Sequence, residues 1–250
     1  MITRHLLQLL LFVALVPAQA QTDELVVRAQ DAYAKGAYGE ALALYDSVGR
    51  ELSSASLHFN IGNCHMKLGD VPSAILHYER AIRLQPGSED IQANLDLART
   101  QVVDRVNQLP AFTLGSVWDR VRGGKDVDQW ARRSLWACIV LFGLAIAFVL
   151  VRRPAVKRVL LIAAALSAVI TVTAMVLAGY RLAEVNDRSQ AIIMMPKVDV
   201  LAEPRIGATT VFVLHEGTKV SVLQEQNGWY EIKLSSGSVG WAAPASLVII

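Results

Sequence analysis

The chain has 250 residues, of which 53% are hydrophobic and 18% are charged, and its mean hydropathy is +0.37. This balance departs from that of an average soluble domain and is typical of a membrane protein. The formal net charge is only +2, and no stretch concentrates Lys and Arg in the way that nucleic-acid phosphates require. The composition therefore argues against nucleic acid as a partner.

Residues 1–20 have the pattern of a secretory signal peptide. Arg4 supplies the positive start, an apolar run follows from Leu6 to Val16, and the small residues Ala18 and Ala20 form a cleavage site. We expect cleavage near Ala20-Gln21. An uncleaved N-terminal anchor is the alternative, and either form exports the segment that follows.

Two runs without charge, residues 134–151 and 159–178, predict transmembrane helices. At a rise of about 1.5 Å per residue, such runs cross the roughly 30 Å hydrocarbon core of a bilayer. The connecting segment 152–158 carries four basic residues and no acid, which places it in the cytoplasm. The lipid bilayer is therefore an expected partner, and both flanking regions are predicted to face the periplasm from the inner membrane. Cys138 lies in the first run and Cys64 outside it, so no disulfide is expected.

Residues 21–107 predict a periplasmic helical repeat domain. A set of small and aromatic residues recurs 33 positions later in the chain: Gly36, Ala41 and Tyr45, then Gly69, Ala74 and Tyr78. With Asn60-Ile61-Gly62, Ala81 and Pro86 the second copy resembles a tetratricopeptide repeat (TPR). Residues 55–88 carry the resemblance well, residues 22–54 less well, and 89–107 only as a first helix. Either this last helix caps the array, or the array is completed by docking on another surface.

The concave face of a TPR array is lined by the first helix of each repeat. The resemblance makes six residues candidates for partner binding: Gln30, Asn60, Asn63, Met66, Lys67 and Asn94. The alternative is that the asparagines bond neighbouring helices and order the array. His58 and His65 are seven residues apart, not at the i, i+4 spacing of chelating pairs, so we predict packing histidines and no metal site.

The segment 108–133 mixes Pro and Gly with large apolar residues. It is predicted to be a juxtamembrane linker, either an amphipathic helix on the membrane surface or an irregular chain.

Residues 188–250 predict a small all-β barrel in the periplasm. Five strand-like runs, 198–203, 210–214, 219–226, 229–234 and 239–242, are separated by turn signals. Among these, Asn227-Gly228 is typical of a two-residue hairpin turn. The motifs Leu214-His215-Glu216-Gly217, Gly228-Trp229 and Gly240-Trp241 resemble bacterial SH3-like (SH3b) domains. Trp229 and Trp241 are candidates for ligand stacking, and the alternative is that both fill the barrel core.

No catalytic motif is evident in the chain. The patterns of a nucleophile elbow, a P-loop, a zinc protease and a dithiol redox site are all missing from the sequence. We therefore predict no enzyme activity, no catalytic residue and no cofactor.

The order of signal peptide, TPR solenoid, transmembrane helical hairpin and SH3-like barrel resembles the E-type Bat aerotolerance-operon proteins. Asn94-Leu95 and Ala191-Ile192-Ile193 add to the likeness. The resemblance implies a multidomain membrane protein and a scaffolding role in an envelope complex linked to aerotolerance or stress. It further implies von Willebrand A domain proteins and a MoxR-type AAA+ ATPase as partners.

Two functions are open on the sequence. The first is a protein-interaction scaffold in which the TPR domain recruits another envelope protein. The second is a cell-wall-sensing protein whose C-terminal barrel binds peptidoglycan.

Overall fold

A computed structural model describes residues 22–104 and 129–250. The predicted signal peptide lies outside the described residues, as does most of the predicted linker. Within these ranges a helical part comes first, two long apolar helices follow, and an antiparallel β-sheet ends the chain.

Five helices lie in residues 22–104. Helix α1 covers residues 22–34, α2 Tyr38–Gly49, α3 Ala55–Leu68, α4 Val71–Leu84 and α5 Glu89–Arg99. Residues 22–104 thus contain two helix pairs and one further first helix, as the repeat pattern predicts.

The residues that flank α3 and α4 show how the sequence sets the helix ends. Ser54 caps α3 by accepting a hydrogen bond from the backbone N–H of Leu57, and Asp70 caps α4 by accepting one from Ser73. Gly69 ends α3 in the left-handed conformation, with φ of 81°, where a side chain would be strained. Only two residues separate the helices, so they pack antiparallel.

The helix pairs pack through the small and aromatic residues of the repeat. Ala41, Tyr45, Ala74 and Tyr78 are all buried. A Cβ atom at Gly62 would lie 2.6 Å from Cε1 of Tyr78, so α3 and α4 can approach this closely only with glycine there. Helix packing therefore requires the glycine that the repeat pattern has at this position.

In the described ranges, two helices are long and apolar enough to cross a membrane. Helix α6 covers Gln129–Leu150 and α7 covers Pro154–Val185, with mean hydropathies of 2.2 and 2.5 over their apolar stretches. They pack against each other, and their remaining faces carry exposed apolar side chains. Helix α6 begins five residues before the predicted span 134–151 and ends one residue before the end of that span, whereas α7 extends beyond 159–178 at both ends. The connection is shorter than the predicted 152–158, because Pro154 begins α7 and Lys157 and Arg158 already lie in it.

Seven strands form one antiparallel sheet in the order β3-β2-β6-β5-β4-β1-β7. Their bounds are β1 Gln190–Ile193, β2 Lys197–Leu201, β3 Thr210–His215, β4 Lys219–Gln226, β5 Trp229–Lys233, β6 Val239–Ala242 and β7 Leu247–Ile249. Leu214 of β3 and Leu247 of β7 stand at opposite ends of this order yet share one core. The sheet therefore curls around that core as an SH3-like fold does.

The five predicted strands correspond to β2–β6, and β1 and β7 are additional. Asn227 and Gly228 both have positive φ, 52° and 80°, so the turn between β4 and β5 is of the hairpin type that the Asn-Gly pair predicts. Strands β3 and β7 form the two edges of this curled sheet.

The close approach at Gly62 predicts a specific stability effect. We expect Gly62→Ala to destabilise the repeat by about 1–2 kcal/mol, because overpacking against Tyr78 outweighs the better helix propensity of alanine. Gly39→Ala is the matched control, because Gly39 lies in α2 with no atom within 4 Å of its Cβ position.

Cys64 is fully buried between the helices, so its labelling by a maleimide reports opening of the repeat. In a Cys138→Ser background we expect Gly62→Ala to raise the labelling rate about tenfold, since 1.4 kcal/mol corresponds to that factor. Equal rates for the two alanine variants would contradict the packing argument.

Candidate functional site

A cavity of about 320 Å³ opens on the face formed by the first helices of the repeats. Helices α1, α3 and α5 contribute to it, and α4 provides its floor. The lining residues are Tyr33, Asn63, Met66, Lys67, Tyr78, Asn94 and Leu97. Four of the six candidates, Asn63, Met66, Lys67 and Asn94, therefore come together in one cavity.

The two asparagines of the cavity are tied to the helix framework. The Tyr78 hydroxyl donates to Oδ1 of Asn63 over 2.7 Å, and Nδ2 of Asn94 donates to the same oxygen over 3.4 Å. Burial raises the pKa of Tyr78, so its hydroxyl stays protonated and remains a donor at neutral pH. The Asn63 oxygen thus joins α3, α4 and α5, as the alternative interpretation of the asparagines expects.

Met66, Lys67 and Leu97 give the cavity its mixed chemistry. Lys67 and Leu97 are exposed and Met66 is partly exposed. A flexible thioether, a cation and a branched apolar chain together suit an amphipathic ligand. These three residues present most of what a partner could contact.

Two candidates lie outside this cavity. Asn60 is partly buried on α3 and Gln30 is exposed on α1, and neither lines the cavity. Sequence reasoning missed Tyr33 and Leu97. Each lies three residues after a candidate, Gln30 or Asn94, and the i, i+3 spacing of a helix face is the signal that identifies them.

The open end of the helical array is covered by the β-sheet. Ile75 and Leu95 from the helices share one buried core with Ile192 of β1 and Ile250, and Val102 packs against it. The sequence left two ways to complete the array, a capping last helix or docking on another surface, and in the structure the array docks on another surface. That surface belongs to the same chain.

A buried carboxylate links the two units. Glu79 of α4 is only 4% exposed, and Nη2 of Arg99 lies 2.6 Å from its Oε1 while Nζ of Lys219 lies 2.8 Å from its Oε2. Removing either cation leaves part of a buried charge uncompensated, which is strongly destabilising. The pair Glu79–Lys219 therefore holds β4 against α4.

A second carboxylate links the chain after α5 to the start of β4. Asp104 accepts hydrogen bonds from the backbone N–H of His215 at 2.6 Å and from the Thr218 hydroxyl at 2.9 Å, and His215 Nδ1 lies 2.9 Å from its other oxygen. Burial acts to raise the pKa of Asp104, but these hydrogen bonds outweigh it and the pKa is lowered. Asp104 therefore stays ionised at neutral pH.

Gly217 lies at the same junction. It has φ of 82°, and a Cβ there would lie 2.8 Å from Cγ2 of Val102. The His215-Glu216-Gly217 motif thus serves both as the turn of a β-domain and as a contact with the helices.

Arginines connect the helical array to the end of the β-sheet and to the apolar helix α7. Arg80 and Arg83 donate to the backbone oxygens of Ile249 and Ile250, at 3.1 and 2.7 Å. Arg181 of α7 is buried and donates to the backbone oxygen of Arg83 at 2.6 Å, near the C-terminal end of α4. Helix α7 is therefore joined directly to the repeat domain.

The two tryptophan candidates differ in their surroundings. Trp241 is 8% exposed and pairs with Leu201 of β2, so its indole lies mainly inside the sheet. Trp229 is partly exposed beside the Asn227-Gly228 turn. A stacking role stays a prediction for both, and Trp229 offers the more accessible ring.

Three histidines meet between α3 and α4. His58 and His77 place their Nδ1 atoms 3.2 Å apart, and the ring of His65 stacks on that of His77. Burial lowers the pKa of His58 to about 4 and that of His77 to about 3, so both are neutral at pH 7. Nε2 of His58 also lies 3.2 Å from Oγ of Ser53, but so low a pKa makes this imidazole a weak base.

Within residues 22–104 and 129–250, no group of three or more ligating side chains is arranged to hold a metal ion. The absence of a metal site in the whole chain stays a prediction.

Two segments match known protein families. Residues 55–88 match the tetratricopeptide repeat family, and residues 196–248 match the bacterial SH3 domain family. No curated protein is significantly similar to the chain. The matches confirm the predicted fold classes of both units, and domains of both kinds are typically non-catalytic interaction modules.

The histidine cluster predicts a pH dependence of stability. In the unfolded chain these imidazoles titrate near pH 6.5, whereas in the folded chain His58 and His77 titrate near 4 and 3. Below about pH 6.5 the unfolded state therefore binds more protons than the folded state. The stability that the neutral imidazoles contribute above that pH is lost as the pH falls toward 4. Each imidazole takes up at most one proton, so it changes the free energy of unfolding by at most about 1.4 kcal/mol per pH unit.

We expect the wild-type repeat to lose stability between pH 7.5 and 5.5, measured by thermal unfolding or by Cys64 labelling corrected for thiolate fraction. The double variant His58→Leu/His77→Leu should lose clearly less over the same range. This pH window lies above the range in which Asp and Glu side chains ordinarily titrate. Identical slopes for the two proteins would exclude the histidines as the cause.

Proposed function

We propose that this chain is an inner-membrane-anchored scaffold that binds another envelope protein in the concave cavity of its TPR domain. The observation that carries the proposal is the cavity of about 320 Å³ where Met66, Lys67 and Leu97 stand open on a framework fixed by Asn63. A rigid frame with a few adaptable side chains is what recognition of a peptide segment requires. Such a role requires no catalytic group.

The proposed location is the periplasmic face of the inner membrane. The repeat domain and the β-domain contact each other directly, and a helical hairpin returns the chain to the side from which it entered the membrane. Arg152, Arg153, Lys157 and Arg158 at the tip of the hairpin favour a cytoplasmic tip. The predicted signal peptide supports the same orientation.

The proposed setting is a Bat-type envelope complex. It is supported by the order of the TPR segment, the two apolar helices and the bacterial SH3 segment along the chain. In that setting the partners are von Willebrand A domain proteins and a MoxR-type AAA+ ATPase complex, and the process is aerotolerance or stress resistance.

The second candidate function is binding of peptidoglycan by the β-domain. The match of residues 196–248 to bacterial SH3 domains and the accessible ring of Trp229 favour it. It is compatible with the first function, because the β-domain docks on the end of the array and leaves the concave cavity open.

Crosslinking from the cavity tests the scaffold and its orientation together. Lys67→Cys in a Cys138→Ser background carries one accessible thiol, because Cys64 is buried. A membrane-impermeant reagent with a thiol-reactive and a photoreactive end is added to cells with a permeabilised outer membrane. We expect a discrete adduct with an envelope protein, and we expect Leu97→Arg to abolish it by blocking the cavity.

The matched control is Lys35→Cys, an exposed site in the turn after α1 that does not line the cavity. The same adduct from Lys35→Cys would exclude the cavity as the binding site. An adduct that forms only after the inner membrane is lysed would contradict the proposed orientation.

Sedimentation with purified sacculi tests the second function. The full chain in mild detergent should sediment with the sacculi, and Trp229→Ala should reduce the bound fraction at least about fivefold if its ring stacks on the ligand. Val211→Ala, an exposed apolar site on β3, is the matched control. Wild-type protein that remains in the supernatant would exclude direct peptidoglycan binding.

A further inference from the structure

A second cavity, of about 270 Å³, lies where the C-terminal end of α4 meets the C-terminal end of α7. Three arginines line it, Arg80 and Arg83 of α4 and Arg188 in the segment before β1, and Ile250 of the β-domain also contributes. The cavity shares no residue with the concave TPR cavity.

The fold holds two of these arginines close together. Arg80 and Arg83 lie three residues apart on α4, and both are partly buried. Each donates to a backbone oxygen, that of Ile249 or Ile250, over 3.1 and 2.7 Å. Burial lowers the pKa of the Arg80 guanidinium, and the positive charge of Arg83 lowers it further. Two like charges therefore share this site.

The acids near the cavity do not balance its three cations. Arg188 is exposed and makes no hydrogen bond or ion pair in the described part of the chain. Asp187 interacts electrostatically with Arg83, and its oxygens accept hydrogen bonds from the backbone N–H and the hydroxyl of Ser189. It offsets one positive charge, and a carboxylate at Ile250, the last residue of the sequence, would offset a second. Among the described side chains, at least one positive charge therefore has no compensating acid.

Helix α7 sets the distance between the cavity and the bilayer. The predicted span ends at residue 178, and Arg181 donates to the backbone oxygen of Arg83 over 2.6 Å. Val185, which lines the cavity, lies roughly 10 Å beyond the span at a rise of about 1.5 Å per residue. The polar headgroup region extends about 5–8 Å beyond the hydrocarbon core on each side. The cavity therefore adjoins the lipid headgroups when α7 spans a membrane.

We propose that this cavity binds a phosphate group, and that the headgroup of an anionic phospholipid supplies it. Guanidinium groups donate paired hydrogen bonds to phosphate oxygens, and the exposed Ser53 and Asn186 add neutral donors. A free phosphate has the same chemistry, but the position of the cavity beside α7 favours the lipid. The lipid source rests on the proposed membrane anchoring and does not require a partner in the concave cavity.

A bound headgroup has a consequence for the assembly of the chain. The cavity is lined by residues of the helical array, of α7 and of the β-domain, so it exists only while these parts are in contact. A ligand that binds only this arrangement stabilises it by linkage. Occupancy therefore reinforces the contact that Arg181 makes with the end of α4.

Labelling of a cysteine placed in the cavity tests the proposal. Asn186→Cys in a Cys138→Ser background carries one accessible thiol, because Asn186 is exposed and Cys64 is buried. The full chain is held in detergent micelles with added phosphatidylglycerol, phosphatidylcholine or glycerol phosphate. We expect phosphatidylglycerol to slow maleimide labelling at least about fivefold, and phosphatidylcholine, whose choline offsets the phosphate charge, to slow it less than about twofold. Equal protection by glycerol phosphate would overturn the lipid source and leave a free phosphate as the ligand.

Variants at Arg188 locate the site, with each labelling rate taken relative to that of the same variant without lipid. Arg188→Gln should reduce the protection by phosphatidylglycerol about threefold, as loss of an exposed ion pair does, and Arg188→Lys should retain most of it. Lys233→Gln is the matched control, because it removes one exposed charge of the β-domain away from the cavity.

Equal protection by the two lipids, or unchanged protection in Arg188→Gln, would overturn the assignment. No partner protein is present in this assay, so such a result would leave the crosslinking test of the scaffold unaffected.

Discussion

The carboxylate of Glu79 is the constraint on which the arrangement of the chain depends. It is buried on α4, and its two oxygens are bound by one cation from the helices and one from the β-domain, Arg99 and Lys219. An ionised group so far from water is tolerated only when it is paired and hydrogen-bonded. The undocked repeat domain would lose Lys219 and expose the apolar core around Ile75, so the two units are stable mainly as one body.

This docking explains how two and a half repeats form a stable array. A TPR helix pair cannot bury its apolar face alone, and arrays normally continue or end in a capping helix. Here the β-domain supplies Ile192 and Ile250 to the core of the last repeat. Arg181 then ties the same body to α7. The concave cavity is therefore held in a fixed orientation to α7.

The sequence predicts those features that have a local period or a local turn. The repeat helices, the two apolar helices and the β4–β5 hairpin fall in this class. Strands β1 and β7 were missed because each is four residues or shorter, without alternation, and they pair across more than fifty residues of chain. The Glu79–Lys219 contact joins residues 140 positions apart. No spacing pattern in a single sequence identifies such a contact, because each partner also suits an exposed face.

The concave cavity contains framework residues and residues that remain open to a ligand, and the sequence alone does not distinguish the two. Helical periodicity places Asn63, Met66 and Lys67 on one face, but it does not show which side chains the fold already uses. The Asn63 oxygen is occupied by Tyr78 and Asn94, so substitution there disturbs the frame as well as any ligand. Lys67 and Leu97 make no such framework contact among the described residues, whereas Met66 also packs against the core of the array. In the proposed scaffold, selectivity for a partner can therefore change at Lys67 and Leu97 while the array itself stays the same.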